Sequence, residues 1–141
     1  MTSEQNKAVL SRFVDFINNG DTTIIDEIVA PDFIELDPMP GQEQGPEGLK
    51  GVILMMRNAF PDIEWKVVED VAEGDMVASR FIWTGTHLGS FMGIPPSGNK
   101  VTMAGMVFDR IVDGKMAESR ILMDNMQLLT QLGAIPAPVR A

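Results

Sequence analysis

Asp124 is the residue of this chain most suggestive of chemistry. It stands in Ile121-Leu122-Met123-Asp124-Asn125-Met126-Gln127-Leu128-Leu129, a run with no other charge. A carboxylate on an apolar strand has to be hydrogen-bonded, paired, or displaced in pKa. A displaced carboxylate facing a pocket can move protons. The same residue could equally end the strand and cap the helix after it. Two more side chains bear on the choice. If strand alternation holds, Arg120 shares a face with Glu118, Leu122 and Asp124. There it either pairs with an acid, which would weaken Asp124 as a base, or sits over a substrate oxyanion. His87 ends a strand on the face of Phe81 and Trp83. It either donates to a carbonyl and shuttles protons, or bonds backbone to shape the loop that follows.

The elements that would position these residues fall into two halves. Val9, Leu10, Phe13, Val14, Phe16 and Ile17 recur at helical spacing after a capping Ser3, and Asn18-Asn19-Gly20 stops the helix. A short second helix presents Ile24, Ile25, Ile28 and Val29 and is expected to end at Pro31. Phe33 to Leu36 reads as a short strand or turn. A loop rich in Pro and Gly follows, and Pro46 opens a third helix with Leu49, Val52, Ile53, Met56 and Phe60 as its stripe. From Ile63 the period becomes two. Strands are expected around Trp65, over Met76 to His87, over Val101 to Val112, and over Met116 to Asn125. Asp113-Gly114 is the hairpin turn between the last two. Leu128 to Gly133 reads as a helical turn, and Ile135 to Ala141 as an extended tail. Helices followed by antiparallel strands is the α+β pattern.

The bulk properties narrow the function. The chain has 141 residues, which suits one domain, and 45% of them are hydrophobic. A net charge of -9 argues against nucleic acid or an anionic membrane as partner. With no cysteine and a single histidine, neither thiolate chemistry nor a multi-histidine metal site is available. No phosphate-cradling glycine loop or dinucleotide fingerprint occurs, so chemistry without a cofactor is expected. The N-terminal residues have no signal-peptide pattern, and a cytoplasmic protein is expected. Val101 to Phe108 is apolar on both faces, with Ala104, Met106 and Phe108 opposite Val101, Met103 and Val107. Such a strand must be covered on both sides. Helices can cover one side, and a second copy is expected on the other, as a homodimer or homotetramer.

Four segments together carry a family likeness. They are Gly45 to Lys50 with Ala59-Phe60-Pro61-Asp62; Gly74 to Arg80; Gly85 to Gly98, which is close to a signature loop; and Asp113 to Glu118 with Asp124 and Leu128 to Gly133. In these the chain resembles the SnoaL-like polyketide cyclase (ester cyclase) family of the nuclear-transport-factor-2-like superfamily, over nearly its whole length. The resemblance implies a cone: a curved mixed sheet wrapped on three helices, with an apolar pocket in its mouth. It implies an intramolecular aldol condensation that closes a polyketide ring, with Asp124 matching the family's acid/base. The chain departs from the pattern at Leu36, where relatives often have histidine, and at Arg120, where many have tryptophan.

An aldol closure removes a proton from a carbon flanked by carbonyls, so a carboxylate of raised pKa suffices as base, and the enolate needs a donor or a positive charge. Asp124 is the expected base, with His87 and Arg120 as its assistants. Phe13, Phe16, Met56, Trp83, Met103 and Met106 are expected to line the pocket. Phe91 and Met92 are expected under a lid formed by the loop from Leu88 to Asn99. A binding protein that holds a hydrophobic ligand without turnover would use the same cone. Limonene-epoxide-hydrolase-like relatives use an aspartate, an arginine and a second aspartate. Asp109 and Arg110 are adjacent here and should point to opposite faces, which weakens that reading.

Overall fold

A computed structural model describes residues 2–136. Residues 137–141, most of the tail expected to be extended, lie outside them. The chain begins with α1, Ser3–Asn19, and α2, Thr23–Ile28. Thr2, one residue before the expected cap, accepts from the Gln5 backbone N–H while the Gln5 side chain returns the bond, which closes a capping box. Gly20 ends α1 in the left-handed region.

The second helix does not run to Pro31. It stops at Ile28, and the chain continues directly as strand β1, Val29–Glu35. Proline is tolerated there because β1 is an edge strand, bonded on one side only. Helix α3, Gly45–Ala59, follows with Pro46 in its first turn. Then come β2, Glu64–Glu73; β3, Met76–Thr86; β4, Lys100–Val112; β5, Lys115–Met123; and α4, Asn125–Gln131.

The five strands form one sheet in the order β1-β5-β4-β3-β2. The β1–β5 pair is parallel and the other pairs are antiparallel. This is the expected mixed α+β architecture, with helices packed on one face of a curved, unclosed sheet. Alternation assigns the faces. On β3, Val77, Ser79, Phe81 and Trp83 point inward and are buried. On β4 the inward side chains are Val101, Met103, Val107 and Asp109. Trp65 stacks on Phe81 with ring centroids 4.2 Å apart. Phe60, at the end of α3, packs on Trp83 and Phe91. Full burial of each such ring contributes about 2–3 kcal/mol.

β5 ends at Met123, while β4 runs on past its partner. Helix α4 occupies the vacated edge. The Gln131 side chain accepts from the Thr102 N–H and donates to the Thr102 carbonyl, so it stands in for the missing strand. Among the described residues no helix is long and apolar enough to cross a membrane. The outer face of the sheet is bare among the described residues: Met106, Phe108 and Leu122 are 59%, 53% and 74% exposed, with Met106 paired to Leu122 and Phe108 next on that face of β4, opposite Arg120.

Candidate active site

Two adjoining cavities open between the helices and the inner face of the sheet. The inner one is narrow, about 80 Å³, walled by Leu10, Phe13 and Ile17 of α1, Ile53 and Met56 of α3, and some inward side chains of each strand. The mouth is wide, about 720 Å³, and is bounded by Leu36 to Pro40, Trp83, Phe91, Met92, Ile94 and the β5–α4 junction. Asp37, Met39, Met56, Ile121 and Met123 line both. The mouth has the volume of a small-molecule site, whereas the inner cavity admits only a small end of a ligand.

The inner cavity is apolar except for a few groups, and its ionisable ones are all acids: Glu35, Asp37 and Asp109. Sheet register brings two of them into line. Glu35 of β1 is paired with Ser119 of β5, and Ser119 is paired with Asp109 of β4. The three form a row across adjacent strands, which puts the Glu35 and Asp109 Cα atoms about 10 Å apart at ordinary strand spacing. Their side chains converge on the cavity from that row, with the Ser119 hydroxyl between.

Asp109 is 4% exposed, and its Oδ1 is buried without a hydrogen-bond partner among the described residues. Burial raises its pKa to about 7, the Ser119 hydroxyl opposes the rise, and the charge of Glu35 adds to it. Glu35 is half-buried and accepts from the Asp37 backbone N–H at 3.1 Å. Burial again dominates and holds it at about 7 as well, against the backbone donors. Near neutral pH the facing pair therefore keeps about one proton.

The residues singled out from sequence are distributed differently. Asp124 is exposed and caps α4: its Oδ1 accepts from the Gln127 backbone N–H at 3.0 Å. Its neighbours Met123 and Asn125 line the mouth, but Asp124 lines neither cavity. The reason is the phase of β5. Ser119, Ile121 and Met123 face inward, while Arg120 and Leu122 face out, Leu122 reaching the rim of the mouth. The strand stops one residue before Asp124. Arg120 is accordingly exposed on the outer face opposite Phe108. Among the described residues it makes an ion pair with neither Glu118 nor Asp124, and it lines neither cavity.

His87 is fully buried, but it too stands outside both cavity walls. Its Nδ1 accepts from the Ser97 backbone N–H at 3.1 Å, which leaves the proton on Nε2, a buried nitrogen with no partner. With the His87 backbone bonded to Gly98 and Asn99, the histidine pins the base of the loop after β3. Phe13 and Met56 line the inner cavity, and Met56, Trp83, Phe91 and Met92 line the mouth. Phe16 and Met103 are core residues behind the walls, and Met106 points outward from β4. Asp109 and Arg110 do face opposite ways: Arg110 lies outside against Asp75 at 2.7 Å. The aspartate–arginine set of an epoxide hydrolase is therefore not assembled, since no arginine lines either cavity among the described residues.

The sequence reading did not include Asp109 or Glu35 in the site. Alternation along β4 places Asp109 on the face of Met103 and Val107, but both faces of that strand are apolar, so the pattern does not say which of them is the inner one.

A curved sheet, a helical cover and an apolar cavity holding carboxyl groups define a class. The chain belongs to the SnoaL-like polyketide cyclase family, whose model matches residues 7–132. It is 28% identical over 124 residues to the nogalonic acid methyl ester cyclase of Streptomyces nogalater, a match covering 85% of this chain and 91% of that protein. It is 26% identical over 129 residues to the aklanonic acid methyl ester cyclase DnrD of Streptomyces peucetius, covering 89% of this chain and 88% of DnrD. Among solved structures, TsrD from Streptomyces laurentii superposes with a TM-score of 0.88 at 27% identity, covering 96% of this chain and 99% of TsrD. IdmH from Streptomyces antibioticus superposes with a TM-score of 0.81 at 31% identity, covering 92% and 99%.

Proposed function

We propose that the protein is a polyketide-cyclase-like enzyme that closes a ring by intramolecular aldol condensation of an apolar, carbonyl-bearing molecule, without a cofactor. The observation that carries this reading is a pair of facing carboxyl groups, Glu35 and Asp109, at the inner end of an apolar cavity with no basic side chain among its described lining residues. The wide mouth takes the body of the substrate, and the narrow inner cavity takes its reacting end. One carboxylate removes the proton between the carbonyls. The other returns a proton to the carbonyl oxygen that becomes the alkoxide. The relatives named as methyl ester cyclases support this choice of chemistry.

Ring closure of nonane-2,4,8-trione, whose C3 lies between two carbonyls, to 2-acetyl-3-methylcyclohex-2-enone gives a direct assay. Glu35→Gln and Asp109→Asn are each expected to slow it about 100-fold, whereas Asp124→Asn leaves it unchanged. A second reading keeps Asp124 as the base, acting from the rim, because Met123 and Asn125 beside it line the mouth. Loss of turnover in Asp124→Asn alone would establish that reading. Tight binding of an apolar ketone with no turnover in the unmodified protein would mark a carrier instead of an enzyme.

We also propose that a second copy covers the bare outer face of β4 and β5, since Met106, Phe108 and Leu122 form a contiguous apolar patch there.

A further inference from the structure

The two carboxyl groups of the row are not equivalent. Glu35 accepts from the backbone N–H of Asp37, a donor that favours a carboxylate over a carboxylic acid. Asp109 is more deeply buried, and among the described residues one of its oxygens has no donor directed at it. A carboxylate in that position would leave lone pairs without partners in an apolar enclosure, whereas a carboxylic acid has an O–H to direct into the cavity. The shared proton near neutral pH therefore belongs on Asp109, and the charge on Glu35. The displacement of both groups to about 7 agrees with a pair that holds one proton.

We infer that this row is an enolising site in its own right, able to exchange the α-protons of simple apolar ketones that have no second carbonyl to close on, with Glu35 as the base and protonated Asp109 as the donor to the carbonyl oxygen. The inference rests on the reading that the cavity accepts carbonyl compounds, and it extends that reading to substrates for which ring closure is impossible. Glu35 takes the α-proton, and the C–H electron pair becomes the C=C bond. The carbonyl π pair moves to oxygen, which receives the Asp109 proton and becomes an enol. In reverse, the enol proton returns to Asp109 and the carbon takes back a proton from Glu35. In D2O that returning proton is a deuteron, because Glu35, half-exposed, re-equilibrates with solvent. The net change is C–H to C–D, and no oxidant, metal or co-reactant is consumed. A site that stabilised only the carbon–carbon bond-forming step would not do this.

The test is deuterium incorporation into 2-tetralone in D2O, followed by NMR against an equal concentration of buffer and protein-free controls. The unmodified protein is expected to accelerate exchange, and Glu35→Gln to reduce the acceleration about 100-fold. Asp109→Ala is expected to reduce it about 100-fold. Asp109→Asn, whose amide still donates, should recover part of what Asp109→Ala loses. Circular dichroism of each variant checks folding, and Glu35→Gln, at the edge strand, remains decisive if Asp109→Ala does not fold. No acceleration by the unmodified protein, or full acceleration in Glu35→Gln, overturns the inference. Ring closure of nonane-2,4,8-trione is assayed in parallel. Ring closure without tetralone exchange overturns this inference alone, whereas exchange without ring closure overturns the proposed cyclisation alone.

Discussion

Replacing Asp109 by asparagine should stabilise the protein at alkaline pH, by an amount set by the burial of the carboxyl. Asp109 is 4% exposed in an apolar wall, and its pKa rises from an ordinary 3.8 to about 7, first because of burial. Between those values the unfolded chain has lost a proton that the folded chain retains. The folded state then binds more protons, so stability falls as pH rises through this window. Above about 7 both states are ionised and the whole penalty is present. At 1.36 kcal/mol per pH unit the displacement corresponds to about 4 kcal/mol. Glu35 repulsion contributes part of that figure, so it belongs to the pair as much as to Asp109. Asparagine is neutral at every pH and escapes this term, at a cost of about 1–2 kcal/mol for an amide with incomplete hydrogen bonding in the wall. The expected net gain is about 2–3 kcal/mol at pH 8, shrinking to zero or reversing at pH 5. Urea unfolding at half-unit pH intervals from 5 to 8.5 measures it. Equal stabilities of the two proteins at pH 8, with parallel pH profiles, would refute the assignment of Asp109 as a carboxyl buried at a net cost.

Other substitutions probe other levels of the structure. Asp124→Ala removes the N-cap of α4 and should cost about 1 kcal/mol, seen as a lower thermal midpoint, because Gln127 N–H loses its acceptor. Gly105→Ala should cost about 1–3 kcal/mol in urea unfolding, since the new methyl would run into the Phe81 ring, the Leu122 carbonyl and the Met123 side chain. Gln131→Ala should speed amide exchange at Thr102 and through α4, where the side chain bridges helix and strand edge. If a second copy covers the outer face, Phe108→Glu with Leu122→Glu should convert the oligomer to a monomer by light scattering and leave helix content unchanged. An unmodified protein that is monomeric at high concentration would remove that proposal.

Much of the architecture can be read locally. The stripe from Leu10 to Ile17, the alternation from Val77 to Trp83 and the Asp113-Gly114 turn are each decided by contacts within a few residues, and each element formed where its periodicity places it. Strand β1 was obscured by Pro31, because what makes that segment a strand is β5, far away in sequence, and an edge position that does not need the missing N–H. Asp124 shows the opposite case. Its neighbours make it look embedded, but β5 ends at Met123 and the side chain is used as a cap in solvent.

The sequence by itself determined the class of fold, the apolar pocket-forming composition, the acidic character and the opposite facing of Asp109 and Arg110. Periodicity and charge carry that information residue by residue. Tertiary structure alone decided which carboxyl groups meet. Glu35 and Asp109 are brought to one row by a parallel pairing between the first strand and the last and an antiparallel pairing back to β4. The raised pKa of each arises first from enclosure, with the charge of Glu35 adding to the rise at Asp109 and that of Asp37 to the rise at Glu35. Both are properties of the assembled cavity, because neither register nor desolvation exists until distant strands have closed around it.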